Sequence, residues 1–108
     1  MITGFIGTGN MGGALARALK GKSELYLSDL MPEKAQALAE ALGGTASSNI
    51  MAAQRADYLF LGVKPYLAKE VLGGIADVLL ARGKDIVLVS MLAGVSIDSI
   101  ETLFDEAK

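Results

Sequence analysis

Residues 4–14 read Gly4-Phe5-Ile6-Gly7-Thr8-Gly9-Asn10-Met11-Gly12-Gly13-Ala14, and the reading of this stretch decides the fold of the 108-residue chain. An apolar run, Ile2 to Ile6, leads into it and has the length of one buried strand. Gly7, Gly9 and Gly12 then fall in G-x-G-x-x-G spacing, and a helical pattern follows from Ala14 to Leu19. Each glycine has a physical task if the turn cradles a pyrophosphate. Gly7 permits the tight turn off the strand, and Gly9 has no side chain to block the phosphates. Gly12 lets the new helix lie close to the sheet, with its first N–H groups toward the anion. The spacing alone is common. Its place, after a strand and opening a helix, is what gives it weight. Asp29 ends the next strand-like run 22 positions after Gly7, near the roughly 20 at which an acidic residue meets ribose hydroxyls. The competing reading is a turn that only packs a helix on a sheet.

Outward from this turn, strand and helix patterns alternate. The first helix is expected over about Asn10 to Leu19, with Met11, Ala14, Leu15, Ala18 and Leu19 on its apolar face and Gly21 as its C-cap. Leu25 to Leu27 forms the second strand, closed by Ser28 and Asp29. A helix then starts near Pro32, buries Ala35, Leu38, Ala39 and Leu42, and ends at Gly43-Gly44. Thr45-Ala46 is at most a very short strand, and Ser47-Ser48-Asn49 caps a short helical turn from Ile50 to Gln54. Tyr58 to Val63 is a buried strand broken by Lys64-Pro65. Tyr66 to Leu80 is a helix whose inward stripe is Leu67, Val71, Leu72, Ile75, Val78 and Leu79. Ile86 to Ser90 is the fifth strand, Met91 to Val95 a loop, and Ile97 to Phe104 a last helix. Short connections and right-handed crossovers turn this alternation into a doubly wound, mostly parallel α/β sheet of the Rossmann type, with helices on both faces.

Composition agrees and excludes much else. Hydrophobic residues make up 52% and the mean hydropathy is positive, as suits a sheet covered on both faces. The length provides one domain. A net charge of −2 leaves no basic footprint for nucleic acid. The chain has no Cys and no His. This removes disulfides, thiol catalysis, the usual metal ligands and the usual general base. No apolar stretch approaches ~18 residues and no charged region precedes a long apolar one, so a cytoplasmic protein without a membrane partner is expected.

In such sheets a ligand lies beyond the carboxyl ends of the strands, near the point where strand order reverses. Asp29 there can accept hydrogen bonds from the ribose hydroxyls or serve as a solvated cap carboxylate. Lys64 can donate toward a ribose or the nicotinamide side, or stand as a surface charge, with Pro65 holding it extended. Asn49 reads either as a helix cap or as a contact near the adenosine phosphate.

Taken together, Gly4 to Gly12, Asp57 to Phe60 running into Val63-Lys64-Pro65, and Ser90 followed by Ala93-Gly94-Val95-Ser96 resemble pyrroline-5-carboxylate reductase, the last enzyme of proline biosynthesis. The resemblance runs from Ile2 to about Phe104. It implies hydride transfer from NADPH or NADH to the C=N carbon of 1-pyrroline-5-carboxylate, giving L-proline. The implied cofactor contacts are Ile6, Gly7, Thr8, Gly9, Asn10, Met11, Asp29, Asn49, Gly62, Val63, Lys64, Pro65, Met91, Leu92 and Ala93. It implies no catalytic residue and no metal in this part of the chain. Two departures stand out. Asp29, Leu30 and Met31 occupy positions where members that bind a 2′-phosphate often carry Ser, Thr or Arg. The family also continues into a Met-Pro-Asn strand and a helical domain for substrate and dimerisation. A cofactor domain ending after the fifth strand and following helix is therefore expected, inactive alone and forming a homo-oligomer only with the helical domain. Other readings are the same half of a 3-hydroxyacid dehydrogenase or of a deazaflavin-dependent NADP reductase, and a non-catalytic NAD(P)-binding module.

Overall fold

A computed structural model describes residues 1–90. The elements are β1 (Ile2–Ile6), α1 (Asn10–Ala18), β2 (Glu24–Ser28), α2 (Pro32–Leu42), β3 (Thr45–Ala46), α3 (Asn49–Arg55), β4 (Tyr58–Leu61), α4 (Ala68–Arg82) and β5 (Val87–Ser90). A 3₁₀ turn, Pro65–Leu67, leads into α4, and another, Gly83–Asp85, leads out of it. The five strands form one all-parallel sheet in the order β3-β2-β1-β4-β5. The doubly wound arrangement is as expected, and strand order reverses between β1 and β4.

Alternation along the strands divides the core in two, because successive side chains point to opposite faces. Phe5, Leu25 and Leu27 bury against Ala16 of α1 and Ala35, Leu38, Ala39 and Leu42 of α2. Ile6, Leu59 and Leu61 bury against Ala52, Ala53 and Ala56 in and after α3 and Ala68, Leu72, Ile75 and Leu79 of α4. Phe5 and Phe60 stack across the switch between β1 and β4, with ring centroids 5.1 Å apart. Coverage is not complete. Tyr58 and Val87, adjacent on the α1–α2 side of β4 and β5, are 41% and 47% exposed among the described residues.

Several boundaries differ from the sequence reading, each for a local reason. The buried side of α1 is centred on Gly13 and Ala16, while Ala14 and Ala18 face solvent. Leu15 and Leu19 are partly buried against the same core, so these two positions of the expected apolar face hold while Ala14 and Ala18 do not. Leu19, not Gly21, is the C-cap of α1; Gly21 takes φ +78° in the turn beyond it. At α3 the cap is Ser48, whose hydroxyl accepts from the Met51 N–H at 3.1 Å, so Asn49 is the first helical residue. β4 ends at Leu61 and α4 begins only at Ala68, because Pro65 lacks an N–H and favours the short 3₁₀ turn between them. The Met91–Val95 loop and the Ile97–Phe104 helix lie outside the described residues.

Candidate functional site

The turn after β1 is built on two glycines with different constraints. Gly7 has φ +93°, and a Cβ there would meet the Gly62 carbonyl oxygen at 2.6 Å and the Val63 nitrogen at 3.0 Å. No side chain fits this close approach of the β1 and β4 turns. The turn is also tied to its other neighbour. The Gly7 N–H donates to the Ser28 carbonyl at 2.8 Å, and the Gly62 N–H donates to the Ile6 carbonyl at 2.8 Å. Gly9 is the N-cap of α1 and has nothing within 4 Å of the space a Cβ would fill. That open space lies where the first N–H groups of α1, which have no intrahelical acceptor, reach outward.

Asp29 stands at the end of β2 and is held by the glycine turn itself. Its Oδ2 accepts from both the Thr8 N–H and the Thr8 hydroxyl, each at 2.7 Å, and its Oδ1 accepts from the Met31 N–H at 2.9 Å. Partial burial pushes its pKa up. The Thr8 hydroxyl, the Met31 and Thr8 amides and the charge of Lys34 more than offset this, so the net shift is below the ordinary value of 3.8. Asp29 is therefore a fixed anion at neutral pH.

A cavity of about 510 Å³ opens beyond the ends of β1, β2 and β4, and Ile6, Asp29, Asn49 and Val63 all line it. Thr8 and Gly9 line the neighbouring groove between α1 and α2, with Arg17 and Lys34. Gly62 is the partner of Gly7 at the switch point. The structure thus gathers Ile6, Asp29, Asn49 and Val63 around one cavity and Thr8 and Gly9 along the neighbouring groove, with Gly7 and Gly62 in close approach between the β1 and β4 turns. Asn10 and Met11 lie in the first turn of α1, and Pro65 opens the 3₁₀ turn. Lys64 is exposed and does not line the cavity. Met91, Leu92 and Ala93 lie outside the described residues.

Four polar residues lining the cavity, Ser28, Ser47, Ser48 and Glu70, lie outside the site set read from the sequence. Ser28 is 4% exposed, and its hydroxyl donates to Asn49 Oδ1, tying β2 to the start of α3. Asn49 is thereby held at the cavity wall rather than spent on capping. The available signal was the pair of polar residues, Ser28 and Asn49, each next to an element boundary.

These residues fit a dinucleotide. The turn has room for a pyrophosphate in front of Gly9, a helix N-terminus behind it, and an ionised carboxylate at the distance in sequence that serves a ribose. Sheet order, glycine turn and carboxylate together define the class: a Rossmann-type domain of the dinucleotide-binding kind. More narrowly, the chain belongs to the family described as NADP oxidoreductase, coenzyme F420-dependent, which matches residues 2–94. The chain is 35% identical over 103 residues to the pyrroline-5-carboxylate reductase of Escherichia coli (strain K12), covering 90% of this chain and 37% of that enzyme. Among solved structures, a pyrroline-5-carboxylate reductase from Coxiella burnetii superposes with a TM-score of 0.82 at 27% identity, over 94% of this chain and 39% of that one. The pyrroline carboxylate reductase of Plasmodium falciparum, with NADP bound, superposes with a TM-score of 0.76 at 28% identity, over 96% and 38%. The chain thus spans well under half the length of the relatives it matches.

Proposed function

We propose that this chain is the cofactor-binding part of an NAD(P)H-dependent reductase that converts 1-pyrroline-5-carboxylate to L-proline in the cytoplasm. The observation that carries this reading is the joining of Asp29 to Thr8, which fixes the ribose-side carboxylate and the phosphate-side turn as one unit. The kinship with pyrroline-5-carboxylate reductases supports the choice of substrate.

In this reading Gly7 sets the turn, Gly9 leaves room for the pyrophosphate, and the N-terminus of α1 offsets its charge. Asp29 accepts from ribose hydroxyls, with Ile6 and Val63 walling the cavity and Asn49 held beside it by Ser28. Asn10, Met11, Gly62, Lys64, Pro65, Met91, Leu92 and Ala93 complete the contact set. The dinucleotide supplies the hydride when bound. This chain's residues orient it at the carboxyl edge of the sheet, and no described residue is assigned a proton. Contacts to the imine and the interface of a homo-oligomer fall to a helical domain of the kind the resemblance implies.

The family description favours one other reading, reduction coupled to a deazaflavin coenzyme. Joining the chain to the C-terminal part of the Escherichia coli relative separates the two. Oxidation of NAD(P)H that depends on 1-pyrroline-5-carboxylate supports the first. Oxidation that depends only on a deazaflavin favours the second. Failure of the chain to bind any nicotinamide dinucleotide rules out both.

A further inference from the structure

Resting on that reading, we propose that the site selects NADH over NADPH, with Asp29 and the apolar pair Leu30-Met31 as the specificity-determining residues. The carboxylate cannot swing away, since three donors from Thr8 and Met31 hold its two oxygens at 2.7 to 2.9 Å. A carboxylate offers about four acceptor sites and no donor when ionised. Three are taken by the chain, and the remaining one, on Oδ1, suits a hydroxyl that donates. A ribose with a free 2′-hydroxyl meets that requirement. A 2′-phosphate has no proton to give and brings like charge to a fixed anion.

A site that takes the phosphate needs cations or hydroxyls where the phosphate sits. The two residues after Asp29 offer neither. Leu30 is 81% exposed and Met31 is 45% exposed, so both stand at the surface as apolar side chains. Leu30 lines the same cavity as Asp29. Lys34, whose charge acts on Asp29, lines with Arg17 the neighbouring groove of Thr8 and Gly9 rather than the cavity that Asp29 and Leu30 share. The hydroxyls of Thr8, Ser28 and Ser47 already give their protons, to Asp29, to Asn49 and to the Ser48 carbonyl. The charge and hydrogen-bonding balance at the end of β2 therefore opposes the extra phosphate, in a family described by NADP.

The test is calorimetric titration of the 108-residue chain with NADH and NADPH, and with ADP-ribose and its 2′-phosphate as probes lacking the nicotinamide. NADH is expected to bind at least tenfold tighter than NADPH, and ADP-ribose tighter than its 2′-phosphate by a similar factor. Leu30→Arg places a cation at an exposed position the fold does not rely on. It is expected to tighten NADPH at least tenfold and so to narrow or reverse the preference for NADH, and an unchanged ratio overturns the role given to the pair. Equal or tighter binding of NADPH by the unaltered chain overturns the selectivity but leaves the proposed function standing. Binding of neither dinucleotide overturns both.

Discussion

The turns that leave β1 and β4 stand side by side at one end of the sheet, and they are made in opposite ways. The β1 turn depends on missing side chains. Gly7 has a backbone conformation that side chains strain and a neighbour, the Gly62 carbonyl, that excludes a Cβ, while Gly9 keeps the space before α1 clear. The β4 turn instead presents side chains: Lys64 and Tyr66 are exposed, Tyr66 at 81%. A turn defined by exclusion has its requirements written in its own backbone. A turn defined by presentation acquires a role only from what it meets.

The sharpest way to break this contrast is Gly7→Ala. A left-handed φ costs a residue with a Cβ about 1–2 kcal/mol, and overpacking against backbone adds about 1–3 kcal/mol. Urea unfolding should show a loss of about 2–5 kcal/mol. A loss below ~1 kcal/mol would mean that the two turns can move apart. Gly9→Val probes the other half of the argument. Its side chain enters open space, so the stability loss should stay near the ~1 kcal/mol of a poorer N-cap, while dinucleotide affinity should fall at least tenfold, about 1.4 kcal/mol. Unchanged affinity would show that the space in front of Gly9 holds no pyrophosphate.

The clamp on the β1 turn has its own signature in pH. Asp29 has a pKa lowered in the folded chain, so its stabilisation is complete above its ordinary value of 3.8 and is lost as pH falls through the lower folded value. In Asp29→Asn that contribution is absent at neutral pH, and the acid loss of stability should be shallower than in the unaltered chain. Urea midpoints measured from pH 7 down to about 2 compare the two slopes, and parallel curves would dismiss the clamp. The smallest effect belongs to the β4 turn. Lys64→Ala should leave stability within ~0.5 kcal/mol and weaken dinucleotide binding only a few-fold. A large stability change in that variant would erase the distinction between the turns.

The same contrast explains what could be read in the sequence. The glycine turn, the helix burying Ala35, Leu38, Ala39 and Leu42, and the strand before Lys64-Pro65 were legible because each rests on a local steric or periodic rule. The phase of α1 was legible only in part: Leu15 and Leu19 pack against the core as their spacing suggests, while Ala14, Ala16 and Ala18 are chemically alike and only Ala16 is buried. Ser48 and Asn49 are both good capping residues; Ser48 takes the cap, and the Asn49 side chain bonds to Ser28 instead, a partner 21 positions away that no local rule names. For Asp29, spacing from Gly7 pointed to its position. Its bonds to Thr8 join residues 21 positions apart and appear only when β1 and β2 pair.

The central claim is that the glycine turn and Asp29 act together as one dinucleotide site. The most direct measurement is an amide-resolved NMR titration of the chain with NADH. The account predicts saturable shifts centred on the amides of Gly7 to Met11, Asp29 and Asn49, with the amides of residues 80–82 at the far end of α4 unmoved. Absence of saturable shifts, or shifts centred on another part of the sheet, would contradict it.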